Sequence, residues 1–328
     1  MKIMRFIGIV FALFSAGSPS DTSAQDSGKK YKVYMVSNSH LDTQWRWDVK
    51  ATIDDYLYNT AVQNLALLEK YPHYVFNFEG AVKYEWIKEY YPHLFERIRK
   101  FVADGRWNIS GASFEANDPN MPSSESFIRN ILLAQEFYKK EFGIKSKDMF
   151  LPDCFGFSQV MPTLGHHCGL IGFSTQKLSW RTEPLVGDSK TPFPIGLWEG
   201  VDGARIMVAL EPGRYSWNEF PEGDLSANEE LAESARKSPF GIAYRYYGNK
   251  LANGAGDHGG SALPRSIQLL EEGITNGKGP VQLVSATSSQ LYEDYMPYGN
   301  HPELPVFVGE MPLDVHAPGC YTSQAEMK

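Results

Sequence analysis

The residues with the most chemical promise close the first apolar run, Val33-Tyr34-Met35-Val36-Ser37-Asn38-Ser39-His40-Leu41-Asp42-Thr43-Gln44-Trp45. Side chains alternate along an extended strand, so His40 and Asp42 leave the same face and set an imidazole beside a carboxylate. Both are ordinary ligands of a metal such as zinc, at ~2.0–2.2 Å. A matching element lies further on, Phe150-Leu151-Pro152-Asp153-Cys154-Phe155-Gly156-Phe157-Ser158. Pro152 stiffens the strand exit and Gly156 permits a sharp turn, which holds the Asp153 carboxylate out from the sheet. The plainer role for Asp153 is to cap the next helix. Asp257 stands in a glycine-rich loop, Asn253-Gly254-Ala255-Gly256-Asp257-His258-Gly259-Gly260, which is no phosphate-binding loop because no Gly-Lys-Ser/Thr follows it. His316 sits in a turn-like stretch near the end. The chemistry this implies is metal-assisted hydrolysis, and these residues alone do not say of which bond.

The elements that must position these groups alternate. Apolar β-like runs fall at 32–36, 74–78, 107–110, 149–151, 172–175, 205–210 and 281–285, and segments of helical period at 53–70, 82–103, 124–141, 159–168 and 264–276. Strands separated by helices predict an α/β fold, a seven-stranded parallel β/α barrel-like domain with helices around it. Catalytic groups in such folds gather at the C-terminal ends of the strands, where His40, Asp42 and Asp153 are placed. The 124–141 segment has helix-capping serines before it and Gly143 after it. Residues 182–228 are rich in Gly, Pro and charge and read as long active-site loops with one strand inside.

With 328 residues, 42% of them hydrophobic, the chain can build one large core. A net charge of −8, with no Lys/Arg block, argues against nucleic acid or an anionic membrane as partner. The abundant aromatics suit stacking on sugar faces, although most must serve the core. Residues 1–24 read as a signal peptide: Lys2 and Arg5 precede an apolar run too short to span a bilayer, and Thr22-Ser23-Ala24 resembles a cleavage site. A polar leader, 25–30, follows. The expected location is therefore periplasmic or secreted. Cys154, Cys168 and Cys320 read as buried thiols, with a Cys154–Cys320 or Cys168–Cys320 bridge left open.

Several motifs together carry a resemblance. His40-Leu41-Asp42-x-x-Trp45, Asn120-Met121-Pro122-Ser123-Ser124-Glu125-Ser126, Leu151-Pro152-Asp153-Cys154-Phe155-Gly156-Phe157, Phe173-Ser174-Thr175-Gln176-Lys177-Leu178 and the stretch from Gly309 through His316 to Ser323 resemble the N-terminal domain of glycoside hydrolase family 38, the class II α-mannosidases. Their order and spacing match from about residue 31 to the end. The resemblance implies a retaining α-mannosidase acting on mannose-containing glycans with one zinc ion per chain. His40, Asp42, Asp153 and His316 would be the ligands, Asp153 also the nucleophile, and Asp257 the general acid/base. Trp45 and Phe155 would line the sugar pocket. Such chemistry needs one ionised and one protonated carboxyl ~5–5.5 Å apart, and hence a raised pKa at Asp257.

Two departures stand against the family pattern. Phe114 occupies a place where many members carry Trp, and the helical residues 322–328 stop in mid-element. The expected organisation is thus a catalytic domain over 31–300 and the start of a truncated helical domain over 301–328, with zinc retention and activity weakened. Two alternatives remain from the sequence: a metal-dependent polysaccharide deacetylase, and a non-catalytic sugar-binding remnant.

Overall fold

The computed structural model describes residues 28–179, 191–248, 257–296 and 303–313. The expected signal peptide 1–24, the first half of the leader, Gly254, His316, Cys320 and the residues 322–328 expected to be helical lie outside them.

The central strand, β1 (Tyr31–Asn38), is buried on both faces except at Lys32, as its nearly unbroken apolar run requires of a parallel strand. β8 (Ile242–Gly248) pairs with it from Lys32↔Ile242 to Asn38↔Gly248. Its other side is shared. β9 (Val281–Ser285) takes Tyr31 to Met35, and β2 (Phe76–Glu79) takes Ser37 and Asn38. The Asn77 amide fills the change of partner by donating to the Ser37 carbonyl at 2.9 Å and the Ala286 carbonyl at 3.0 Å. β3 (Trp107–Ser110) completes this sheet beside β2.

A second sheet runs in the order β10 (Val306–Val308), β6 (Ile195–Glu199), β7 (Arg205–Ala209), β5 (Gly172–Ser174), β4 (Asp148–Phe150). Two backbone bonds link the sheets, Ala112 N–H to the Asp148 carbonyl at 2.9 Å and Tyr246 N–H to the Pro212 carbonyl at 2.8 Å.

The fold is α/β, but three expectations need correction. Ten strands are present among the described residues rather than seven, with β6, β8 and β10 additional to the runs read from sequence. They are not all parallel: β6 and β7 form an antiparallel hairpin across the Gly200–Ala204 turn. Residues past 300 also contribute β10, whose Val306 pairs with Leu197 of the β6 edge, so the sheet extends beyond the expected domain boundary.

The helices follow their sequence signals closely. α1 (Val49–Ala51) leads through a π-helical stretch, Thr52–Leu57, into α2 (Tyr58–Lys70). The expected 82–103 helix is two, α3 (Ala81–Tyr90) and α4 (Pro92–Ala103). Pro92 disfavours the helical conformation at the residue before it, and Tyr91 sits at φ −132°, ψ 55°. α5 (Ser124–Phe142) starts where the Ser123 hydroxyl accepts the Ser126 N–H and ends at Gly143 in the left-handed region. α6 (Val160–His167), α7 (Glu229–Arg236), α8 (Pro264–Asn276) and α9 (Gln290–Tyr295) complete the set. α4 buries Leu94, Phe95, Ile98 and Val102, side chains worth about 1.5–3 kcal/mol each in removal from water. Among the described residues no helix is long and apolar enough to cross a membrane. Cys154 and Cys168 are free thiols.

Candidate active site

Three strand ends build the site. β1 runs out at Asn38 and delivers His40, which is 4% exposed, and Asp42. β2 ends on Glu79, also buried. The chain leaving β4 carries Asp153. His40 lies between these elements: its Nδ1 is 2.7 Å from Glu79 Oε1, and its Nε2 is 3.3 Å from Asp42 Oδ1 and 3.7 Å from Asp153 Oδ2. Burial opposes charge on the ring, but Glu79, Asp42 and Asp153 outweigh it and raise the imidazole pKa well above its ordinary value. Burial would raise the Asp42 carboxyl, yet the contact with His40 leaves it lowered.

Asp257 arrives by a different route. Its segment is stitched antiparallel to the end of β1: Asp42 N–H donates to the Asp257 carbonyl at 3.0 Å, Gly259 N–H to the His40 carbonyl at 2.9 Å, and Ser39 Oγ to the Gly260 carbonyl at 2.7 Å. Asp257 takes φ 72°, a left-handed conformation that Asp tolerates better than most residues. Gly259, at φ 74°, packs so closely that a methyl group there would overlap Thr60 Oγ1. His258 stacks on Trp47 with ring centroids 4.1 Å apart, which braces the segment from outside. Tyr215 donates its hydroxyl to Asp257 Oδ1 at 2.5 Å.

Asp153 has a cationic neighbour that sequence reasoning did not single out. Lys177, 2% exposed, places Nζ 2.5 Å from Asp153 Oδ1 and 4.6 Å above the Phe155 ring. Burial pushes the Asp153 carboxyl up, with His40 and Lys177 pulling against it, and burial likewise lowers the Lys177 ammonium.

The structure therefore brings His40, Asp42, Asp153 and Asp257 together, with Phe155 beside Lys177. Trp45 lies on the loop after Asp42 and is 56% exposed, with the Arg46 guanidinium over its ring at 4.2 Å. His316 lies outside the described residues. Met311, five residues earlier in the sequence, exchanges backbone bonds with Phe157 at 2.9 and 2.8 Å. Sequence reasoning missed Glu79, Lys83, Lys177 and Tyr215. A signal existed for Glu79, an acid closing a β-like run, and for Lys177, which lies inside a quoted motif.

The donor set fits a divalent cation. His40, Asp42 and Asp257 each offer a ligand atom, all within 4.8 Å of one another. That triplet holds Asp257 where the sequence suggested Asp153, one of whose oxygens meets Lys177 while the other faces His40. Among the described residues the carboxyls of Asp42, Glu79, Asp153 and Asp257 face the His40 imidazole and the ammonium groups of Lys83 and Lys177. When all are ionised this leaves a surplus of negative charge for a cation to neutralise.

Comparison with known proteins gives this geometry its context. Residues 30–310 match the glycosyl hydrolases family 38 N-terminal domain. The chain is 32% identical over 306 residues to alpha-mannosidase G of Dictyostelium discoideum, covering 93% of this chain and 26% of that protein. It is 31% identical over 301 residues to alpha-mannosidase 2C1 of Homo sapiens, covering 91% of this chain and 27% of that one. The chain thus spans about a quarter of the length of these curated relatives. In fold it is similar to the crystal structure of an alpha-mannosidase from Enterococcus faecalis V583, with a TM-score of 0.68 at 22% identity over 86% of this chain and 31% of that one. The family match takes in every strand from β1 and all four clustered site residues, and the chain belongs to glycosyl hydrolases family 38, through its N-terminal domain.

Proposed function

We propose that this chain is the catalytic domain of a retaining, zinc-dependent α-mannosidase that removes terminal α-mannosyl residues from glycans. The observation that carries this reading is the approach of two carboxyl groups, Asp153 and Asp257, to one imidazole from separate loops, in a chain of this family. Family membership favours it over a deacetylase or a non-catalytic remnant. The accompanying fold reading is a barrel-like core in which the two sheets meet edge to edge, β3 against β4 and β8 against the chain leaving β7. The bonds Ala112–Asp148 and Tyr246–Pro212 support it.

In this reading His40, Asp42 and Asp153 would hold the zinc ion, with His316 as fourth ligand. When bound, the ion supplies positive charge beside Asp153 and an attachment point for sugar hydroxyls. The remaining work belongs to the side chains. Lys177 orients Asp153 through Oδ1 and favours its ionised form. The Asp153 carboxylate attacks the anomeric carbon while the glycosidic C–O bond breaks, and the leaving oxygen takes a proton from Asp257. Tyr215 occupies Oδ1 of Asp257, which directs that proton to the other oxygen. Water then attacks the anomeric carbon of the mannosyl–Asp153 ester and returns its proton to Asp257, and mannose leaves with its configuration retained. Trp45 offers its exposed face to the apolar side of the sugar, and Phe155 lines the pocket under Lys177.

A fluorinated mannosyl fluoride, added to the zinc-supplemented chain, tests this reading. The expected product is a covalent adduct on the peptide containing Asp153, together with zinc-dependent turnover of an aryl α-mannoside. Turnover with the adduct on another carboxyl, or a zinc-loaded chain inert toward every α-mannoside tried, overturns it. The reading of residues 1–24 as an export signal is tested by amino-terminal sequencing of the protein recovered from its native host.

A further inference from the structure

Glu79 and Lys83 form a buried ion pair that no step of the proposed reaction uses. Glu79 is 4% exposed at the end of β2, and Lys83, in the first turn of α3, is wholly buried. Gly80 turns the chain between them at φ 84°, and the Lys83 stem folds back across it. Lys83 Nζ reaches Glu79 Oε1 at 3.7 Å and lies 5.5 Å from the centre of the Phe78 ring. The same Glu79 oxygen is 2.7 Å from His40 Nδ1.

Withdrawing two charges from water costs several kcal/mol per ion, and an apolar pair of similar size would fill this space without that cost. Stability alone therefore does not account for the pair. What it provides is an ionised oxygen aimed at one nitrogen of His40. A carboxylate only accepts hydrogen bonds, so Nδ1 must carry the proton, and the ring turns Nε2 toward Asp42 and Asp153. Lys83 stands against the same Glu79 oxygen and supplies the countercharge that a buried carboxylate requires.

We propose that Glu79, paired with the buried Lys83, is a positioning residue that fixes the tautomer and ring orientation of His40 for divalent-cation binding. This rests on the metal-centre reading above. Partners of this kind are worth roughly 10–100-fold in metal affinity.

The test is Zn2+ competition against a chromophoric chelator, using the full chain and its double variant Glu79→Met/Lys83→Met, which removes both charges together. The expected result is 10–100-fold weaker Zn2+ binding with thermal unfolding of the zinc-free chain preserved. In the Zn2+-loaded chain, nitrogen-15 spectra should show a far-downfield, slowly exchanging His40 Nδ1 proton that the variant loses. A purely structural pair would move the melting temperature and leave that proton in place. Equal Zn2+ affinity in the chain and its variant overturns the proposal while the metal centre stands. A chain that binds no Zn2+ at all overturns the metal centre and the proposal with it. If the double variant fails to fold, Glu79→Gln decides, because it keeps the shape and neutralises the charge: unchanged affinity refutes, weakened affinity supports.

Discussion

Lys177 Nζ stands 2.5 Å from Asp153 Oδ1, at a lysine only 2% exposed. The side chain comes from the turn after β5 and the carboxylate from the exit of β4, so two adjacent parallel strands end in opposite charges. One Asp153 oxygen is thereby committed to an ammonium group, while the other faces His40. The carboxylate is steered on both sides.

Removing the ammonium group exposes that dependence. In Lys177→Met, Asp153 remains largely buried without its partner, and breaking one side of a buried pair costs about 3–5 kcal/mol. A bound divalent cation would restore part of the missing charge. The expected outcome is a variant destabilised by about 3 kcal/mol in chelator, on the same principle, with a larger gain on adding Zn2+ than the unaltered chain shows. Urea unfolding of both proteins, with and without Zn2+, measures this, and equal Zn2+ gains would count against the steering role.

Leaving-group dependence tests Asp257. A general acid matters most when the departing oxygen is basic, so Asp257→Asn should lower the rate on a mannosyl disaccharide by roughly 10²–10⁴-fold. An aryl mannoside with a strongly acidic phenol should lose far less in its first chemical step. Parallel losses on both substrates would remove Asp257 from the acid role.

Much of this site was legible in the sequence for one physical reason. His40, Asp42 and Asp153 follow apolar strands directly, so their strand-end placement needs only a correct reading of periodicity. Glu79 and Lys177 also end strands or follow them closely, but a charged residue there reads as solvated until its burial is known. Tyr215 comes from a loop whose path depends on tertiary packing. β8 escaped notice because Ile242–Gly248 is interrupted by Arg245, which looks like a surface residue. In the fold its guanidinium pairs with Glu230 of α7 at 2.5 Å and lies 5.2 Å from the Trp217 ring centre. The single helix expected over 82–103 failed at one residue pair, Tyr91-Pro92, where the proline signal outweighs the apolar period.

Gly259 is the tightest point of the Asp257 segment. Gly259→Ala should cost about 1–2 kcal/mol for the left-handed backbone alone, and more for the overlap with Thr60 Oγ1. Thr60→Ala removes that overlap, along with the hydroxyl that accepts the Gly260 N–H at 2.8 Å. The double variant should therefore be less destabilised than the two single changes add up to. Additive losses in a double-mutant cycle would show that the two residues do not compete for the same space.

Asp148 sets a pH dependence of stability away from the reaction itself. Burial pushes its carboxyl up to about 6 from an ordinary 3.8, partly offset by hydrogen bonds from Ser288, the Gly111 N–H and Ser146. A raised folded-state pKa means that the fold binds this proton more tightly than the unfolded chain does. Below about pH 4 both states hold the proton and no penalty exists; between about 4 and 6 only the unfolded chain releases it, and stability falls as pH rises. Above about 6 the penalty levels off near 3 kcal/mol. Asp148→Asn keeps an oxygen to accept from Gly111 and Ser146 and carries no titrating proton. Relative to the unaltered chain, the variant should therefore gain about 3 kcal/mol between pH 4 and pH 7.5, with the gain confined to that window because all other groups cancel in the difference. Denaturant unfolding of both proteins across this range measures it, and a difference independent of pH would show that the fold does not raise the Asp148 pKa.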